Sequence, residues 1–169
     1  MIQITGKLKF DPINYTKKHV TQGSWKHTAI VEFADDSDLY YSWFIKRRYN
    51  LILNRPLRGF HFTVINDKIT NLSQDEIIEL KKLFQDTEIK VQFDTDLRTN
   101  GEHWWLKAYS IDCENIRKAF NLDPRPFWSP HLTVGYVVNG QPNKNGIRYN
   151  QMWEHSHYLH KLLIEGKII

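Results

Sequence analysis

Two short phrases of the chain carry the same chemistry. One is "GFHFTVI", with His61 and Thr63, and the other is "SPHLTVG", with His131 and Thr133. Side chains alternate faces along a strand, so each His shares a face with its Thr. Phe60, Phe62 and Val64 share the opposite face of the first phrase, and Pro130, Leu132 and Val134 that of the second. Each strand is therefore expected to bury an apolar face and to present an imidazole beside a hydroxyl. If the two strands lie near each other, two imidazoles and two hydroxyls converge. Cleaving a phosphodiester needs a base for the attacking oxygen and an acid for the leaving oxygen. Imidazole titrates near neutrality and serves as either. The threonine hydroxyls would donate to the non-bridging oxygens, where negative charge must be held. Such a site needs no metal, and no carboxylate cluster of metal-binding spacing accompanies the histidines.

A single H-x-T is a weak signal. A third copy, His19-Val20-Thr21 in "KKHVTQGS", lacks the apolar flanks of a half-buried strand and reads as coincidence. Requiring those flanks lowers the chance expectation for two copies to below about a hundredth. Two plainer readings stand beside the catalytic one. Both histidines can be ordinary strand residues bonded to neighbours. They can also ligate a metal with a third histidine, such as His157 or His160 of "HSHYLH", although such a cluster is more often a surface helix.

The strands and helices around these residues follow from pattern. Residues 1–10 alternate loosely and read as an edge strand ended by Asp11-Pro12; residues 25–33 and 58–66 are strands. "DDSDLYYSWFIKRRY" has an acidic head and a cationic tail, which suits a helix and its dipole. Residues 72–84 form a helix in which Ser73 caps with Glu76, three residues on. A short strand at 88–93, a loop "DTDLRTNG", a strand at 102–111, a helix at 113–122 and a strand at 131–138 follow. Residues 150–163 read as helical, and "LLIEGKII" as a closing strand. The order, roughly β-α-β-α-β-β-α-β-α, predicts an α+β fold with a mainly antiparallel sheet.

Composition bounds the function. At 169 residues, 41% hydrophobic and 25% charged, the chain can fold as one domain and has no disorder signature. No apolar run is long enough to span a bilayer, and "MIQITGKLKFDP" is not a signal peptide. The single cysteine, Cys113, excludes an internal disulfide and a cysteine-rich metal site. The chain thus reads as soluble and cytoplasmic, with no membrane partner. A net charge of +4 leans only weakly toward anionic partners, and no basic block suits long double-stranded nucleic acid. P-loop, G-x-G-x-x-G, H-E-x-x-H and G-x-S-x-G motifs are absent.

The doublet in "GFHFTVI" and "SPHLTVG", some 70 residues apart, resembles the signature of the 2H phosphoesterase superfamily. That resemblance implies two pseudo-symmetric lobes within residues 1–169, each giving one motif to a central cleft. It implies His61 and His131 as the acid–base pair, Thr63 and Thr133 as phosphate holders, and no cofactor. "LNRPLRGFHFTVINDK" looks most like the phage branch of the superfamily. Its members are the anti-CBASS phosphodiesterases, which cut 3′–5′ linkages of cyclic di- and trinucleotide signals and so blunt bacterial antiviral signalling. The location implied is then the host cytoplasm. RNA-processing members that act on 2′,3′-cyclic phosphates or 2′–5′ linkages share the doublet, and a silent nucleotide-sequestering protein is a third reading.

A nucleotide substrate asks for stacking platforms, each worth about 1–3 kcal/mol per base. In "HWWLKAYS", Trp104, Leu106, Ala108 and Ser110 form one face, which reads as packed, while Trp105, Lys107 and Tyr109 form the other. Trp105 and Tyr109 are candidate substrate-binding residues, as is Trp25 after the turn-rich "TQGS". Glu154 in "QMWEHSH" is a candidate reader of a base amino group, and Arg58 and Lys68 are candidates to balance phosphate charge. Trp128 and Tyr136 flank the second motif, and Tyr136 falls on the apolar side of its strand.

Overall fold

The structure, a computed structural model, describes residues 1–11, 28–34, 37–56, 58–66, 72–126 and 129–137. Their elements are β1 (Ile2–Phe10), β2 (Ala29–Glu32), α1 (Ser37–Tyr49), β3 (Leu53–Asn54), β4 (His61–Ile65), α2 (Gln74–Phe84), β5 (Glu88–Thr99), β6 (His103–Tyr109), α3 (Ile111–Ala119) and β7 (His131–Val137). The fold is α+β, and every strand pairing among the described residues is antiparallel. The strands run β7-β4-β2-β1-β5-β6, and β6 pairs back onto β7, so six strands close into a barrel. The short β3 adds to the far end of β7. Among the described residues no helix is long and apolar enough to cross a membrane.

One buried cluster takes alternate residues from all six barrel strands, among them Leu8, Val31, Phe62, Val91, Leu106 and Leu132. Ile45, Leu80 and Ile116 of the three helices join it. Core and helices thus share one face of the sheet, and each such side chain contributes roughly 1.5–3 kcal/mol through burial. The opposite face is left to the polar alternates.

Local signals set several boundaries. Ser73 caps α2 with the reciprocal bonds expected: its Oγ accepts from the Glu76 N–H at 3.3 Å, and its own N–H donates to Glu76 Oε2 at 2.7 Å. α3 starts two residues earlier than the sequence pattern gives. The cause is Ser110, whose Oγ accepts from the Cys113 N–H at 3.3 Å and donates to the Lys90 carbonyl at 2.7 Å.

Two expectations are corrected, and one strand is new. β1 is not an edge strand, because β2 pairs on one side and β5 on the other. "DTDLRT" is not a loop but the second half of β5, which re-pairs with β6 from Leu97 after an irregularity that opens at Phe93. β3 was not foreseen at all. Two residues carry no periodicity, and the pairing exists because Gly135 lets the chain pass: a Cβ there would sit 2.6 Å from the Asn54 carbonyl oxygen. The segments 150–163 and "LLIEGKII" lie outside the described residues.

Candidate active site

The two H-x-T strands are neighbours. β4 and β7 pair antiparallel with Phe62 opposite Leu132. One step to either side of that pair sets His61 across from Thr133 and Thr63 across from His131. The local twofold axis of the pair therefore exchanges the two phrases, and the four side chains form a two-by-two patch on the polar face. Directly opposed residues have Cβ atoms about 5 Å apart and diagonal ones about 7–8 Å, which leaves room for a phosphate between the imidazoles.

The repetition extends beyond the motif. Both strands bury residues in the same order, with His and Thr half-buried and the intervening Phe62 or Leu132 in the core. Both bulge at the following valine. Against β2, the step from Ile30 to Ala29 matches two residues of β4, so Val64 is the extra one. Against β6, the step from Trp105 to Trp104 matches two residues of β7, so Val134 is the extra one. Bulges re-aim side chains and occur beside active sites.

Each imidazole is fixed in the same way. His61 Nδ1 lies 2.9 Å from the Gly59 carbonyl, and His131 Nδ1 lies 2.7 Å from the Ser129 carbonyl. A carbonyl only accepts, so in both rings Nδ1 carries the proton and donates it, and Nε2 is the nitrogen left for chemistry. Gly59 makes the first of these anchors possible, since its φ of 66° lies in the left-handed region that side chains avoid.

The flanks differ. Arg58 is buried at 3% exposure, and its charge reaches His61. Burial is the main force on His61 and lowers its imidazole to about 4; the positive charges of Arg58 and His131 push the same way, against the bond to Gly59. On the other side, β6 sets Trp105 across from Thr133 and Lys107 across from His131. The Trp105 ring meets the His131 ring edge-on, with centroids 6.3 Å apart.

Most of the expected residues thus gather in one place. His61, Thr63, His131, Thr133, Arg58 and Trp105 adjoin one another, whereas Tyr109 stands two residues past Lys107 and lines a cavity next to the patch. Trp104, Leu106, Ala108 and Ser110 are buried as their alternation predicts. Trp25, Lys68, Trp128, Glu154, His157 and His160 lie outside the described residues. Tyr136 is a correction. The bulge at Val134 flips the strand beyond it, so Tyr136 pairs with His103, half-buried on the motif side, and the two rings lie 6.2 Å apart.

Two neighbours escaped sequence reading as site residues. Lys107 lies beside His131, a position its alternation with Trp105 already hinted at. Glu32 lies across from His61 through a β2–β4 pairing that no local pattern announces. Among the described residues no group of three His, Cys, Asp or Glu side chains gathers to hold a metal ion. The buried Cys113 thiol is pushed up to about 12 by burial and is no nucleophile. No family model matches the chain, and no curated protein or solved structure matches it significantly.

Proposed function

We propose that the protein is a metal-independent phosphodiesterase of the 2H type. One observation carries the reading: two imidazoles, related by the dyad of the β4–β7 pair, are each tethered through Nδ1 to the carbonyl two residues upstream. This leaves two Nε2 atoms and two threonine hydroxyls to one phosphate. The asymmetry favours one division of roles. His61, held near 4, is neutral at pH 7 and is the base. Its Nε2 takes the proton of the attacking hydroxyl, from water or a ribose 2′-position, as the new P–O bond forms. His131, in its protonated form, gives a proton to the leaving 5′-oxygen as the old P–O bond breaks. Thr63 and Thr133 donate to the non-bridging oxygens, and the Arg58 cation offsets the charge that accumulates there.

The substrate class rests on the resemblance of the two motifs to the 2H superfamily, and within it to the anti-CBASS branch. On that reading the patch lies between two pseudo-symmetric lobes and opens 3′–5′ linkages of cyclic di- or trinucleotides. Purified protein incubated in excess EDTA with a panel of cyclic and linear 3′–5′ and 2′–5′ oligonucleotides, read by mass spectrometry, tests it. Linearised or shortened cyclic 3′–5′ products support the reading. Cyclic substrates recovered intact while 2′–5′ linkages or 2′,3′-cyclic phosphates are cut would move it to RNA processing. All substrates recovered intact would remove the enzyme.

A further inference from the structure

The motif patch is pseudo-symmetric, but what borders it is not. At its Thr63 edge lies a cavity of about 320 Å³, closed by α3 and by the turn that follows it. Thr63 and Lys107, both of the patch or beside it, are also part of the cavity wall, so the two spaces are continuous. At the opposite edge the place across from Thr133 is taken by Trp105.

The wall has a definite chemistry. Tyr109, 43% exposed, presents an aromatic ring, and Pro124 and Pro126 present compact apolar rings. Glu114 adds a carboxylate only 13% exposed, held by a long ion pair of 3.7 Å to an Arg125 that is 85% exposed. So exposed a pair contributes little, and the carboxylate keeps its capacity to accept hydrogen bonds. Arg117 stiffens the frame: it donates from Nε to the Asp123 carbonyl at 2.6 Å and from Nη1 to the Val64 carbonyl at 2.7 Å. This ties helix, turn and the bulge of β4 together. The wall is thus largely apolar, with the Glu114 carboxylate as its one acidic group and with Lys107 and Arg125 as cations beside it. The volume lies at the small end of ligand pockets, enough for one planar ring and its sugar.

We propose that this cavity is a nucleobase subsite, taking the base of the nucleoside joined to the phosphate at the H-x-T patch and preferring a base with an exocyclic amine. The ring stacks on Tyr109 between the prolines, the Glu114 carboxylate accepts from the amine, and Lys107 steers the anionic sugar-phosphate. Adenine, guanine and cytosine qualify, and uracil does not. A base held at the Thr63 edge breaks the dyad and sets the substrate in one direction across the patch. The proposal rests on the phosphodiesterase reading for its phosphate.

Equilibrium binding tests it without turnover. Calorimetry with adenosine 3′-monophosphate, uridine 3′-monophosphate and ribose phosphate should rank them in that order, with roughly tenfold between the first and the last. Tyr109→Ala should narrow that gap to within about twofold, Tyr109→Phe should restore it, and Glu114→Leu, which leaves no acceptor, should remove the preference for adenosine over uridine. Ribose phosphate bound as tightly as the nucleotides, no binding of any of the three, or a gap that survives Tyr109→Ala each overturns the subsite. The two readings fail separately. Base-dependent binding without hydrolysis leaves the cavity and removes the enzyme. Hydrolysis of a dinucleoside phosphate and its abasic analogue with equal kcat/KM leaves the enzyme and removes the cavity.

Discussion

β4 and β7 carry the same phrase, the same burial order, the same bulge and the same Nδ1 anchor, yet their histidines live in different surroundings. His61 has the buried Arg58 three residues upstream and Glu32 across the sheet; His131 has Lys107 across the sheet and the edge of Trp105. Local sequence makes two equivalent half-sites, and the outer neighbours make them unequal. The physical reason is the range of the forces involved. An anchor two residues away is a backbone matter, fixed by the strand itself. Desolvation and charge act over several ångströms and depend on what the barrel brings alongside.

The comparison can be broken most sharply at the histidines. His61→Ala and His131→Ala should each lower kcat/KM by about 10²–10⁴, because each removes one proton-transfer group, and the double variant should be little worse than either. Full additivity would mean that the rings do not act on one phosphate. Next come the hydroxyls. Thr63→Val and Thr133→Val should each cost about a hundredfold in kcat, as expected for a lost donor to developing charge. A loss confined to one of them would deny that the dyad-related hydroxyls share a substrate.

Stability sharpens the contrast in a third way. The folded-state value of His61 is depressed, from 6.5 to about 4. Above pH 6.5 the ring is neutral whether the chain is folded or not, and its contribution is complete. As pH falls from 6.5 through 4, the unfolded chain binds the proton first and the folded state loses ground, on the order of 2 kcal/mol. Urea unfolding at pH 7 and pH 4.5 should therefore differ more for the wild type than for His61→Asn. An equal difference in both would place the low value elsewhere. The smallest effect is kinetic. The acid limb of kcat/KM should lie well below pH 6, since free His61 must be neutral to act as base. Arg58→Met, by removing a positive charge beside the ring, should move that limb up by roughly half a unit to one unit. A limb that stays put would show that Arg58 does not tune His61.

Much of the site was legible because its grammar is local. Alternation put His and Thr on one face and Phe62 and Leu132 in the core, and sorted Trp104 from Trp105. Ser73 and Glu76 announced the start of α2 because a capping box spans only three residues. What stayed hidden depends on partners far away in the chain. Tyr136 sits on the unexpected face because β6 imposes a bulge at Val134, and "DTDLRT" is strand because β6 offers it a second run of pairing. The place of Glu32 beside His61 exists only through register.

Period-two alternation is a property of the backbone, so the order of residues was enough to set two imidazole–hydroxyl pairs on half-buried strands. Only long-range pairing makes these strands adjoin, sets Phe62 against Leu132 so that each His faces the other motif's Thr, and leaves the His61 ring desolvated with the Arg58 charge acting on it. Pairing and burial are long-range. They come from closing six strands into a barrel and packing helices on one of its faces, and no stretch of the chain encodes that closure by itself.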